Sequence, residues 1–412
     1  MIPPKAVPWA IAGAMTIIAL IAIVGGITVA ARGGQQPAVA VGSPTNAPSA
    51  TETTTGLPTA GATAEPYEDA GPSGDLTPQP SAAGAASTKK KVDRKAAMSP
   101  SERDARPGEG PLPSDQPVTC PGSTTDVSTA DDLSQALANA KPGDVIHLAD
   151  GTYSGRFSAT SSGTSAQKIY LCGGRGAVLD GGGTEKGYAF HLDGASYWVL
   201  SGFSVRNGQK GIVADSTTGS VIQNVAVTDI GDEAIHLRTN SSSNLIIGNT
   251  IHGTGNRNEK FGEGIYIGTA VSNWCTYTGC LPDHSNYNII ANNDIAGTTS
   301  ENIDIKEGTL GGIVRGNRLD GSAMTAADAW MNVKGNAWTI DSNEGRNSSK
   351  DGFQTHNILQ EWGDYNLFTN NSGTANGSGH GIALRPAMHN IVSCSNTVTS
   401  GQGLSNVPCS TQ

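Results

Sequence analysis

One short alternating phrase returns eight times between residues 187 and 401, and it leaves this chain few ways to fold. In order the copies read Tyr188-Ala-Phe-His-Leu, Gly211-Ile-Val-Ala-Asp, Ala234-Ile-His-Leu-Arg, Gly264-Ile-Tyr-Ile-Gly, Asn302-Ile-Asp-Ile-Lys, Trp330-Met-Asn-Val-Lys, Gly352-Phe-Gln-Thr-His and Gly381-Ile-Ala-Leu-Arg. Most returns come after 22 to 30 residues, with one longer gap. A period of that length is one supersecondary unit stacked on itself. Aligned on the first inward apolar residue, the copies give a column Ile212, Ile235, Ile265, Ile303, Met331, Phe353, Ile382. Two residues on, a second column reads Ala214, Leu237, Ile267, Ile305, Val333, Thr355, Leu384. Strand alternation sends the residues between them to the opposite face.

A second apolar run follows each phrase and ends near Asn224, Asn249, Asn293, Asn317, Asn343 or Asn371. Stacked asparagine amides can satisfy backbone groups at a sharp turn and bond to the copies above and below. Gly/Asn/Ser turns separate the strand-like runs, with no helical pattern between them. The fold class is therefore all-β, a single-stranded right-handed parallel β-helix of eight or more coils. A leucine-rich repeat needs regular Leu spacing and a tighter period, and a hexapeptide β-helix needs a strict six-residue repeat. The chain has neither.

The domain plan has three parts. Trp9 to Ala31 is a stretch of 23 positions without a charge, the length of a membrane-spanning helix. We read residues 1–32 as a transmembrane signal anchor that leaves the body outside the cell membrane. Ala38-Val-Ala40 resembles a signal-peptidase site and keeps a secreted product open. Residues 33–118 are rich in Ala, Pro, Thr, Ser and Gly, a composition that cannot offset its ordering entropy and predicts a disordered stalk. Residues 119–412 form the β-helix domain. Thr129-Ala-Asp-Asp132, with Leu133 and Leu137 behind it, predicts a capped amphipathic helix over the open end of the solenoid.

All six cysteines fall in that domain. Order along a solenoid predicts Cys120–Cys172, Cys275–Cys280 and Cys394–Cys409, and an oxidising compartment. From Cys120 to Gln412 the chain carries 17 basic and 26 acidic side chains, a net of −9. That excludes nucleic acid as the natural partner, but one local basic stripe still suits a polyanionic sugar. Nothing in the pattern asks for a second copy of the chain, so a monomer is expected.

Three outward rows carry the chemistry. Glu233, Glu263, Glu301 and Asp351 form an acidic row; His236, Tyr266, Asp304, Asn332 and Gln354 a mixed one; Arg238, Lys306, Lys334, His356 and Arg385 a basic one. Coils lie about 4.8 Å apart, so stacked glutamates repel unless a cation sits among them. Calcium held by Glu233, Glu263, Glu301 and Asp304 is the economical solution. Insertions at 253–262, 270–287, 321–328 and 357–364 interrupt the coils that carry these rows, and insertions of that kind map to a binding face. Trp274, Tyr277 and Trp362 lie in them as candidate sugar contacts, beside Arg385, Tyr266 and Asn332; Trp330 and Trp338 suit core or sugar equally.

From Cys120 onward the chain resembles the pectate-lyase-like β-helix superfamily. Ala140-Lys-Pro-Gly-Asp-Val-Ile-His-Leu-Ala-Asp-Gly-Thr-Tyr153 looks like the first turn of its members. Ser300-Glu-Asn-Ile-Asp-Ile-Lys306 is similar to a segment of the alginate lyase and chondroitinase B family, in which a calcium-binding glutamate precedes the catalytic lysine by five positions. The resemblance implies Glu301 as a calcium ligand and Lys306 as the base. Thr299 and Lys334 depart from it, standing where that family has an acidic ligand and an arginine.

The chemistry so implied is β-elimination on a uronic-acid polysaccharide, the cation neutralising the sugar carboxylate and the lysine removing the proton alpha to it. Lys334, Arg238 or His356 would bind that carboxylate or protonate the leaving oxygen. A glycoside hydrolase, a uronate epimerase and a non-catalytic wall-binding module remain as alternatives on the same fold.

Overall fold

The computed structural model describes Ser99 and residues 103–411. The expected membrane span and most of the stalk lie outside the described residues. Among the described residues, no helix is long and apolar enough to cross a membrane.

The body is a right-handed parallel β-solenoid of about ten turns. Each complete coil adds one strand to each of three sheets, which reach 11, 9 and 10 strands. The inward column runs in unbroken register from Phe190 through Ile212, Ile235, Ile265, Ile303, Met331 and Phe353 to Ile382 on the nine-stranded sheet. All of these side chains are buried, and each contributes about 1.5–3 kcal/mol by leaving water. The periodicity therefore states the register itself, because a one-residue slip would turn the whole column outward.

The asparagine ladder forms at the tight turn between the second and third strands of each coil. It runs Asn249, Asn293, Asn317, Asn343, Asn371, Asn396, each amide bonded to the next and to a strand carbonyl. Asn224 was expected on it and stands outside. It is exposed, one residue earlier in the turn, at φ 51°, and Val225 takes the ladder position with its N–H donating to Asn249 Oδ1. Asparagine suits both places, since its short amide also tolerates the left-handed conformation.

The lid is the helix Ala130–Asn139, with Thr129 as N-cap and Leu133 and Leu137 buried beneath it. The three expected disulfides are all present. The stalk reading fails at its end, because residues 103–118 lie along the outer face of the eleven-stranded sheet. Val118 exchanges hydrogen bonds with Gln223, Asp115 pairs with Arg315, Arg106 covers the Tyr365 ring, and Arg103 meets Glu361 at 3.3 Å. Leu112 and Val118 pack on an outward apolar cluster of Val199, Val221, Leu245, Ile247, Ile289 and Ala291. Composition argued against structure here because it counts only the segment's own apolar residues, and the surface they cover belongs to the sheet.

Candidate functional site

The outward residues of the nine-stranded sheet stack as the alternation predicts, with His236 beside Tyr266, Tyr266 beside Asp304 and Asp304 beside Asn332. Two insertions wall the middle of this face. The backbone N–H groups of Thr325 and Ala326 donate to Thr299 O, and Thr299 Oγ1 donates to Glu259 O, so the loops around 259 and 325 clasp each other through Thr299. The result is a cleft of about 480 Å³ lined by Glu301, Asp304, Lys306, Asn332, Lys334 and His356, with Ala326, Ala327 and Ile358 as its apolar rim.

Glu263, Glu301 and Asp304 each bring one carboxylate oxygen within 4.8 Å of the others; all three are buried, and Glu301 and Asp304 line the cleft. Ser300 Oγ and Asn332 Nδ2 donate to the two oxygens of Glu301, at 2.6 and 2.5 Å. Glu263 Oε2 is buried with no hydrogen-bond partner. Burial, then Glu233 and Glu301, push the Glu263 carboxyl well above the usual range. A buried carboxylate oxygen without a donor is costly, and the convergence of three carboxylates, that of Glu263 among them, suits a hard cation of the calcium type. The residues present fit that ion.

Glu233 stands in the same row but belongs to another pair, contrary to the ligand set expected above. Lys210 Nζ lies 2.6 and 2.5 Å from its two oxygens, both side chains being 3% exposed. Burial opposes ionisation of Glu233, and Lys210 outweighs it and holds the carboxyl well below its ordinary value. The sequence contains the reason: Lys210 stands two residues before Ile212, in the acidic row one coil ahead.

Asp304 carries two cations. Lys306 Nζ is 2.6 Å from Oδ2, and Lys334 Nζ is 2.9 Å from both oxygens. Burial alone would raise Asp304 and lower Lys306. Their mutual attraction wins in both, so Asp304 sits below its usual value and Lys306 well above. The Lys306 ammonium also rests 4.7 Å from the centre of the Tyr266 ring, a cation–π contact. His356 is the opposite case. Burial and then Lys334 push its imidazole down to about 4, so it is neutral at pH 7.

Other expected site residues are placed elsewhere. Arg238 is buried and committed to Asp215 at 2.7 and 3.1 Å and to Tyr188 Oη; it is a counter-ion of that aspartate, not of the glutamate row. Arg385 bonds Asp351 and Gln354 beyond the C-terminal side of the cleft. Tyr266 is buried against His236, their rings 4.2 Å apart. Trp274 and Trp362 are 0% and 1% exposed and offer no ring face to a sugar, and Trp330 and Trp338 are core. Asp328, bonded to Gln354 and Lys350, completes the cleft wall and was not singled out from the sequence; an aspartate at the end of an insertion has no periodic neighbour to mark it.

Residues 118–285 match the model of a family described as the Pel9A-like, right-handed β-helix region. An alginate lyase from Paenibacillus sp. str. FPU-7 is 34% identical over 69% of this chain and 99% of its own length, with a TM-score of 0.65. The chain belongs to the pectate-lyase-like right-handed parallel β-helix superfamily. Within that superfamily's fold, pectate lyase Pel9A is 16% identical over 68% of this chain and 75% of its own, at a TM-score of 0.48. A polygalacturonase from Erwinia carotovora ssp. carotovora shares the fold at 11% identity over 71% and 98%, with a TM-score of 0.50. No curated protein matches the chain.

Proposed function

We propose that this superfamily member is an extracellular, alginate-type polysaccharide lyase that cleaves a uronic-acid glycan by β-elimination, with Lys306 as base. The observation that carries the proposal is a cleft lined by Glu301, Asp304, Lys306 and Lys334, with Glu263 and its unpartnered buried oxygen converging on the same two carboxylates. The 34% identity to an alginate lyase across that enzyme's whole length supports the same substrate class. Three disulfides support an oxidising compartment, in keeping with the Trp9–Ala31 span as an anchor or leader.

In this mechanism Lys306 removes the proton alpha to the uronate carboxylate and Lys334 receives that carboxylate. The bond to the glycosidic oxygen breaks as the ring double bond forms. The departing oxygen takes a proton, which the newly formed Lys306 ammonium supplies. His356, neutral at pH 7, offers the sugar a hydrogen bond and no charge; Arg238, held by Asp215, stays out of the reaction. Calcium on Glu263, Glu301 and Asp304 would supply Lewis-acid neutralisation of the substrate carboxylate and relieve the lysine of the acid that keeps it protonated. Without a cation, Lys306 is held protonated by Asp304, which also favours a second reading, a glycan-binding module without turnover.

Incubation with alginate, polygalacturonate and chondroitin, in calcium or chelator, separates the two. The lyase reading expects unsaturated product from alginate, lost in Lys306→Ala. Because Lys306 is buried and paired, that variant should also lose about 1–3 kcal/mol of stability, less than a fully orphaned pair, since Lys334 still holds Asp304. Product at the wild-type rate from a folded alanine variant would remove Lys306 from the chemistry.

A further inference from the structure

Four successive coils place a charge in the acidic row ahead of Asp351, and the first of these charges is a lysine. Backbone hydrogen bonds align Gly211 with Glu233, Ala234 with Glu263 and Gly264 with Glu301, which sets Lys210, Glu233, Glu263 and Glu301 one above another. The row is not uniform in its chemistry. Glu233 has both oxygens on Lys210 Nζ, whereas Glu263 Oε2 is buried with no partner. Glu233 is one of the charges that bear on Glu263.

We propose that Lys210 is a tethered cation that closes the N-terminal end of the row, confining divalent-cation binding to Glu263, Glu301 and Asp304 and to a single ion. The proposal rests on the cation site described above and concerns its stoichiometry. An ammonium delivered on a side chain cannot diffuse away, and at 2% exposure its removal would leave a buried carboxylate uncompensated. With Lys210 gone, Glu233 and the unpartnered oxygen of Glu263 would face each other as a second set of oxygen ligands in neighbouring coils.

Calorimetric titration with calcium tests this on the full chain. Wild type should bind one ion, Lys210→Met two, and Lys210→Arg one, since the guanidinium is still a cation. Lys210→Met/Glu233→Gln, which removes both charges, should return to one ion. If Lys210→Met is unstable in chelator, calcium should restore its melting temperature toward wild type, and a variant that calcium does not refold overturns the proposal. So does a folded Lys210→Met that binds one ion like wild type, an outcome that leaves the lyase site intact. A wild type that binds none also overturns the proposal, and that outcome removes calcium from the proposed reaction as well.

Discussion

Replacing Glu263 by glutamine should stabilise the protein without calcium and destabilise it, relative to wild type, with calcium. The three ligand oxygens lie within 4.8 Å of one another, and two full charges at that distance repel by about 3.5 kcal/mol at an effective dielectric of 20. Lys306, Lys334 and the upward shift of the Glu263 carboxyl already relieve most of this. The share left for the substitution is about 1–2 kcal/mol, or roughly 2–6 °C in melting temperature for a body of this size. In calcium at a hundred times its dissociation constant, wild type gains about 2.7 kcal/mol, while the variant, lacking the unpartnered oxygen, gains little. The two melting curves therefore exchange order as calcium is added. The pH dependence has a defined sign. A carboxyl raised above its ordinary 4.5 keeps its proton in the fold after the unfolded chain has released it, so wild-type stability without calcium falls as pH rises above about 4.5. The variant's advantage should vanish below that pH, where both states are protonated. Differential scanning fluorimetry in chelator and in calcium, from pH 4 to pH 8, reads all of this. A Glu263→Gln protein that melts below wild type in chelator, or keeps the full calcium shift, would refute the convergence of these carboxylates on one ion.

Two further outcomes follow from the fold. His356, lowered to about 4, should show no imidazole titration near its ordinary value of 6.5 by NMR; its contribution, about 1–3 kcal/mol after allowing for partial exposure, is present above pH 6.5 and lost as pH falls through 4, and a midpoint above 6 would contradict the buried placement. Asn293→Ala should cost about 3–5 kcal/mol in denaturant unfolding, because it removes bonds to Ile246 O, Asn317, Asn249 N and Asn249 Nδ2 and leaves buried groups unsatisfied. Asn224→Ala should cost about 1–2 kcal/mol, from the left-handed backbone alone; equal losses at the two positions would erase the distinction between turn and ladder.

The columns were legible because alternation and a fixed coil rise convert sequence position into place. Register, sheet face, cap, disulfides and the rows of Glu263, Glu301, Asp304, Lys306 and Lys334 all follow from that conversion. It does not convey which neighbour in a row takes which partner. Glu233 goes to Lys210 and Arg238 to Asp215 because pairing depends on side-chain reach across one coil, which periodicity leaves open. Insertions are harder still. Trp274 and Trp362 turn inward, and an aperiodic loop gives no column from which to read its inside.

The segment along the outer sheet changes how the solenoid holds together. A stack of coils is held by nearest neighbours, so it can fray from either end and fold in parts. Residues 103–118 cross that logic, joining Val118 to Gln223 at a separation of 105 residues, Pro111 to Ser243 at 132 and Asp115 to Arg315 at 200. They can dock only when the coils from Gln223 to Tyr365 already stand in order, so their binding free energy reports on the whole run at once. Such contacts form late, since the closure entropy of a long loop must be met before they stabilise anything. What would otherwise melt coil by coil is bound into one cooperative unit, and the part of the chain whose composition is poorest in apolar residues supplies the coupling.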